Sequence, residues 1–142
     1  MKSYIYHFLI VFIFPFFSFG ATYYVSVGGS GGGTGLDASN KSATLQNIFD
    51  TYNLAAGGII DVAAGTYAET GVVVGADDEG FTIQGAALSG GIPTSIFDAE
   101  STARWLLLGD VNNDNITINK IYIKDHKQVP VVVQMKEVEV LK

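Results

Sequence analysis

From residue 58 onward the chain is a succession of short apolar runs divided by breaks rich in Gly, Asn, Asp and Ser. Runs of three or four residues that are β-branched or aromatic suit strands, and no helical period links them. They group in threes. Ile59-Ile60-Asp61-Val62, Val72-Val73-Val74 and Phe81-Thr82-Ile83-Gln84 are echoed by Ile96-Phe97-Asp98-Ala99, Leu106-Leu107-Leu108 and Ile116-Thr117-Ile118-Asn119. The starts at 59, 72 and 81 recur at 96, 106 and 116, offsets of 37, 34 and 35 residues, which is the mark of an internal repeat. A shorter third set follows in Ile121-Tyr122-Ile123, Val131-Val132-Val133 and Val138-Glu139-Val140-Leu141, in a register the pattern does not fix.

Similar strands that return only after two others, with no crossover helix between, cannot be joined by tight turns. A wound parallel sheet accounts for this, each circuit laying its apolar residues on those of the one before. The rival is an antiparallel sandwich, but Asn-Gly and Asp-Gly, the strongest hairpin signals, are absent. The pattern therefore predicts an all-β chain, a right-handed single-stranded parallel β-helix of two to three coils.

One segment has helical spacing. Leu45, Ile48, Phe49 and Tyr52 stand at i, i+3, i+4 and i+7, Thr44 is placed to cap the start, and Gly57 is the expected stop. A lone amphipathic helix must cover something, here the first end of the coils. Before it lie a strand-like run over 22–27 and the glycine-rich stretch 28–35. That stretch lacks the Gly-Lys-Ser/Thr ending of a phosphate loop, and no apolar helix follows it directly.

The first twenty residues differ from the rest. Lys2 precedes an almost wholly apolar run over 4–17, Pro15 interrupts it, and Ser18 and Gly20 give the small-x-small pattern before Ala21. This is a cleavable secretory signal, and its apolar run is shorter than the ~20 residues that span a bilayer. The expected organisation is a signal peptide over 1–20; a strand, glycine-rich loop and capping helix over 21–57; and coils over 58–142. The mature chain would be secreted, extracellular or at the cell surface, with no stable membrane anchor after cleavage.

Charge and cysteine content narrow the partners. Of 8 basic residues Lys2 is lost with the signal, leaving 7 against 14 acidic ones. Nucleic acid is thereby excluded, and polyanionic sugars would be repelled unless a cation bridged them. No cysteine is present to form a disulfide or carry a lipid anchor.

Four segments resemble, in order, the opening of a pectin-lyase-like β-helix protein. They are Tyr23-Tyr24-Val25-Ser26, the glycine-rich loop, Ala43-Thr44-Leu45-Gln46-Asn47-Ile48 and Gly58-Ile59-Ile60-Asp61-Val62-Ala63-Ala64-Gly65-Thr66-Tyr67. Ala64 stands where that superfamily usually has proline, and Phe81-Thr82-Ile83-Gln84-Gly85 resembles its next strand. The resemblance covers roughly residues 22–124 and implies fold rather than activity, since the superfamily holds lyases, hydrolases, adhesins and surface proteins.

Candidate chemistry is sparse. Asp110, Asn112 and Asp114 alternate as the first ligands of a calcium loop do, but Asn115 stands where the loop's glycine should be and Ile121 where its bidentate glutamate should be. An Asx-rich turn is the competing reading. Asp77-Asp78-Glu79 could supply paired carboxylates for glycoside hydrolysis, yet a glycine-flanked acidic triplet more often marks a solvated turn. Arg104 is the one arginine and has no lyase motif around it, and His126, the one histidine after the signal, sits between Asp125 and Lys127 with no nucleophile framework. Trp105, Tyr67 and Tyr122 lie in or beside strand runs, where stacking on sugar and packing in the core are both open. Without an acid, base and cation set, the sequence points to a noncatalytic module associated with extracellular polysaccharide or a host or cell surface. The alternative is an N-terminal fragment of a polysaccharide lyase or glycoside hydrolase. A coil stack this short also leaves strand edges open at its far end, inviting self-association.

Overall fold

The computed structural model describes residues 20–98, 104–109 and 113–125, and these are mostly β with one short helix. In chain order they form β1 (Thr22–Ser30), α1 (Leu45–Thr51), β2 (Ile59–Val62), β3 (Gly65–Tyr67), β4 (Val72–Val74), β5 (Thr82–Gly85), β6 (Ser95–Asp98), β7 (Leu106–Leu108), β8 (Thr117–Asn119) and β9 (Ile121–Lys124). The strands make three parallel sheets, ordered β1-β2-β5-β8, β3-β6-β9 and β4-β7. From β2 on, the chain visits the first, second and third sheet in turn, repeats that order through β7, and then enters the first and second again.

Two of the three strand matches expected from the sequence are present in register: Val72 pairs with Leu106, and Thr82 with Thr117. The third is corrected. Ile59–Val62 pairs with Thr82–Gly85, while Ile96 pairs with Thr66 of the unremarkable Gly65–Tyr67 run. β3 carries no apolar run that would reveal it, because only Tyr67 among its three residues turns inward.

Alternation sets which residues meet across the strands. Val25, Ile60, Val62 and Ile83 face inward from the first sheet, Tyr67 and Phe97 from the second, and Val72 and Val74 from the third, all buried. The Tyr67 and Phe97 rings stack at 4.9 Å, and Phe97 meets Trp105 at 4.9 Å. Burying each such side chain stabilises the fold by about 1.5–3 kcal/mol. Trp105 and Tyr67 are thus core residues, whereas Tyr122 is 49% exposed.

The corner before the first sheet is built the same way each time. Gly57, Gly80 and Asn115, with φ of 83°, 62° and 58°, each stand two residues ahead of a first-sheet strand. They stack: Gly57 donates its N–H to the Gly80 carbonyl at 2.9 Å, and Gly80 donates to that of Asp114 at 2.9 Å. A left-handed backbone turns the chain here, free of strain for glycine and tolerable for asparagine.

Helix and loop close the first end. α1 begins at Thr44, whose side chain accepts from the Asn47 N–H, and ends at Thr51 with Tyr52 as C-cap, so Gly57 does not stop it but belongs to the next corner. Leu45, Ile48 and Phe49 are buried against the core. The Gln46 amide covers the outer side of β4 at Val73, and Glu69 accepts from the Leu45 and Gln46 N–H groups, each at 2.8 Å. On the outer side of β1, Tyr24 donates its N–H to the Gly35 carbonyl at 2.7 Å. Gly35 is required there, since its φ is 69° and a Cβ would lie 2.5 Å from Ile48 Cδ1.

The far end differs. Leu108, Ile118 and Ile123 lie above the buried Val74, Ile83 and Phe97 but are 52%, 44% and 43% exposed. Among the described residues, one residue of each sheet thus turns toward the core without a layer to cover it.

Candidate functional site

The outer face of the first sheet aligns chemistry across four strands. Register places Tyr24, Asp61, Gln84 and Asn119 side by side, one per strand, in a row perpendicular to the chain. Inward partners on either side fix their direction, because side chains alternate along each strand. Flanking the row on the same face are Thr22, Ile59, Thr82 and Thr117. The row carries a phenol, a carboxylate and two amides at the strand spacing of about 4.8 Å. Asn119 Nδ2 donates to Gln84 Oε1 at 3.0 Å, and Gln84 Nε2 donates to the Gly85 carbonyl at 2.8 Å. These two bonds orient the amides and leave Asp61 as the only charge in the row. Such a surface offers hydroxyl donors and acceptors in quantity, but it brings together one carboxylate and not the pair that glycoside hydrolysis uses.

A second opening lies at the glycine-rich loop. It is a polar groove of about 390 Å³ lined by Ser26, Gly28, Gly29, Ser30, Ala38, Ser39, Asn40 and Lys41. Much of its polarity is already spent locally: the Ser39 hydroxyl donates to Asp37, and Asn40 Nδ2 donates to Thr34 Oγ1 at 3.1 Å. The Ser39 hydroxyl holds the Asp37 carboxyl below its ordinary range.

The sequence-derived candidates do not converge. Asp110 and Asn112 lie outside the described residues, as do His126, the segments 1–19 and 129–142, and most of the break before Arg104. Asp114 contributes its backbone carbonyl to the Gly80 bond, and among the described residues no group of three His, Cys, Asp or Glu is placed to hold a metal. Asn115 supplies the left-handed turn that a glycine would.

The acidic triplet is split rather than solvated as a whole. Asp77 and Glu79 are exposed, but Asp78 is only 2% exposed. Its Oδ1 accepts from the Leu54 N–H at 2.6 Å and its Oδ2 from the Gly75 N–H at 2.9 Å. Asn113 completes the cluster, its Nδ2 donating to the carbonyls of Gly75 at 2.6 Å and Asp78 at 3.0 Å. Backbone donors hold this carboxylate in place of a cation, so it ties the segment after α1 to the next turn and is not presented to solvent.

No family model, curated protein or solved structure matches this chain. Among the described residues no helix is long and apolar enough to cross a membrane.

Half the outer row was visible in the sequence. The shared apolar-Thr-Ile-amide runs put Gln84 and Asn119 in equivalent places, and they do align. Asp61 was masked by being matched to Asp98, and Tyr24 by belonging to a strand outside the repeat. Asp98 instead sits on the second sheet opposite Lys124, whose ammonium it meets at 2.9 Å. Asp98 and Asp125 together raise the Lys124 pKa.

Proposed function

We propose that this chain forms the opening coils of a right-handed single-stranded parallel β-helix of the pectin-lyase-like kind, secreted through its N-terminal segment. Its role is that of a noncatalytic module that holds polysaccharide at an extracellular or cell surface. The observation that carries this reading is the row Tyr24, Asp61, Gln84 and Asn119 on one face of a parallel sheet. The ordered return of the chain to three sheets and the closing helix favour the coil architecture, because each circuit then buries the apolar face of the one before.

Chemistry selects the class of glycan. Asp61 accepts hydroxyl donors, the amides can do both, and the Tyr24 ring can pack on a sugar face. The acidic balance of the chain disfavours uronates in the absence of a bridging cation, so neutral polysaccharide is the preferred ligand and calcium is needed only for an acidic one.

The test is retention on immobilised neutral and uronate-containing polysaccharides, with and without calcium, scored also for soluble products. Retention of the intact chain on a neutral glycan without turnover supports the module. Truncating Tyr24, Asp61 or Gln84 to Ala should weaken it by about tenfold each, the equivalent of one lost hydrogen bond or ring contact. New reducing ends or unsaturated products would favour the enzymatic alternative, and no retention on any glycan would overturn the reading.

A further inference from the structure

The end face made by β7, β8 and β9 has an identifiable occupant. It presents the core-facing side chains of Leu108, Ile118 and Ile123, each seated on a fully buried residue of the previous circuit. Among the described residues, no strand lies alongside its outward backbone groups either. Gly109 donates its N–H to Val74 and Thr117 donates to Phe81. Alternate residues of a parallel strand bond on opposite sides, so the N–H groups of Leu106, Leu108 and Ile118 point to the open edge. Apolar side chains beside unpaired donors make a template for further strands.

The strand order says which sheet comes next. After β9 in the second sheet, the rotation followed twice by this chain calls for a strand in the third, against β7, and then one in the first, against β8. The 17 residues that follow Asp125 contain two apolar runs, at 131–133 and 138–141. The first repeats the Val-Val-Val of β4, the founding strand of the third sheet. It also comes at the right distance. Six residues separate it from β9, against four between β3 and β4 and seven between β6 and β7.

We propose that the segment 126–142 docks on this face of its own chain, residues 131–133 alongside β7 and residues 138–141 alongside β8. Val131 and Val133 then cover Leu106 and Leu108, and Val132 points to solvent, as Val73 does in β4. This inference rests on the observed strand order and not on the polysaccharide reading, and its test uses no glycan.

The test is residue-resolved amide hydrogen exchange on the full chain, with its mass followed by sedimentation over a range of concentrations. Docking predicts that the Leu106, Leu108 and Ile118 amides exchange at least about 100-fold more slowly than unstructured peptide, in a monomer and independently of concentration. Val133→Asp should remove that protection at Leu106 and Leu108 while leaving the β1-β2 ladder intact, and Val132→Asp should leave both unchanged. Free exchange of the three amides in the unaltered chain would overturn the proposal. So would protection that rises with concentration alongside a dimer mass, since the occupant would then be a second copy. Should Val133→Asp fail to fold, the unaltered chain alone still decides between these outcomes.

Discussion

Gln46 and Val73 are joined by two hydrogen bonds in which a side-chain amide takes the place of a neighbouring strand. The Val73 N–H donates to Gln46 Oε1 at 2.7 Å, and Gln46 Nε2 donates to the Val73 carbonyl at 3.3 Å. The same Nε2 donates to Asp50 Oδ1 at 2.7 Å, one helical turn on, which holds the amide in this orientation. Gln46→Ala should therefore lower stability by about 0.5–1.5 kcal/mol, because the exposed backbone groups of Val73 exchange this partner for water. Chemical denaturation measures the loss, and faster exchange at the Val73 amide localises it to this edge.

Glu69 gives the fold a pH dependence of predictable sign. Burial raises its pKa, and the N–H groups of Gln46 and Leu45 oppose that rise only in part. A carboxyl raised in the folded state binds its proton more tightly there than in the unfolded chain, so its contribution is greatest at low pH and declines as pH climbs through the raised value. The stability of the unaltered chain minus that of Glu69→Gln should therefore fall from about pH 3 to about pH 7. Denaturation of both proteins across that range checks the slope, and a difference that grows with pH would show that the helix N–H groups outweigh burial.

Asp78 should be far less replaceable than its exposed neighbours. Asp78→Asn loses one of the acceptors now used by Leu54 and Gly75 and is expected to cost about 1–3 kcal/mol. Asp77→Asn and Glu79→Gln, on exposed positions, should each fall within about 0.5 kcal/mol of the unaltered chain.

Asn115 offers a test of the stacked corner. Its φ of 58° suits glycine better than any β-branched residue, so Asn115→Gly should be close to neutral and Asn115→Val should cost about 1–2 kcal/mol. Thermal unfolding of the pair separates backbone strain from loss of the side chain, since both variants remove the amide.

The sequence announced the strands better than it announced their partners. Short apolar runs mark β2, β4, β5 and β7, and the capping residue Thr44 marks the start of α1, because both signals are local. Pairing is not local. Ile59–Val62 resembles the run at 96 in composition, but its neighbour in the sheet is Thr82–Gly85, whose Gly85 carries no apolar signal at all. That glycine is dictated by packing instead, since a Cβ would come within 2.0 Å of the Lys120 carbonyl oxygen. Asp78 was equally illegible. Nothing in an acidic triplet distinguishes the one carboxylate that turns inward to meet backbone donors from the two that stay in water. The outer row was half legible for the same reason, as its members belong to strands 23 to 37 residues apart that only the register brings together.

Sealing β1 and β4 with the Gly35 carbonyl and the Gln46 amide gives the molecule a direction. The outward N–H groups of Tyr24 and Val73 are already engaged, so a strand arriving from another copy would have to displace the loop or the helix to pair there. Pairing between copies is correspondingly easier at the opposite end, where Leu108, Ile118 and Ile123 are exposed. Added strands meet the same asymmetry: the engaged edges of β1 and β4 serve as a foundation, and the sheets extend more readily beyond β7, β8 and β9.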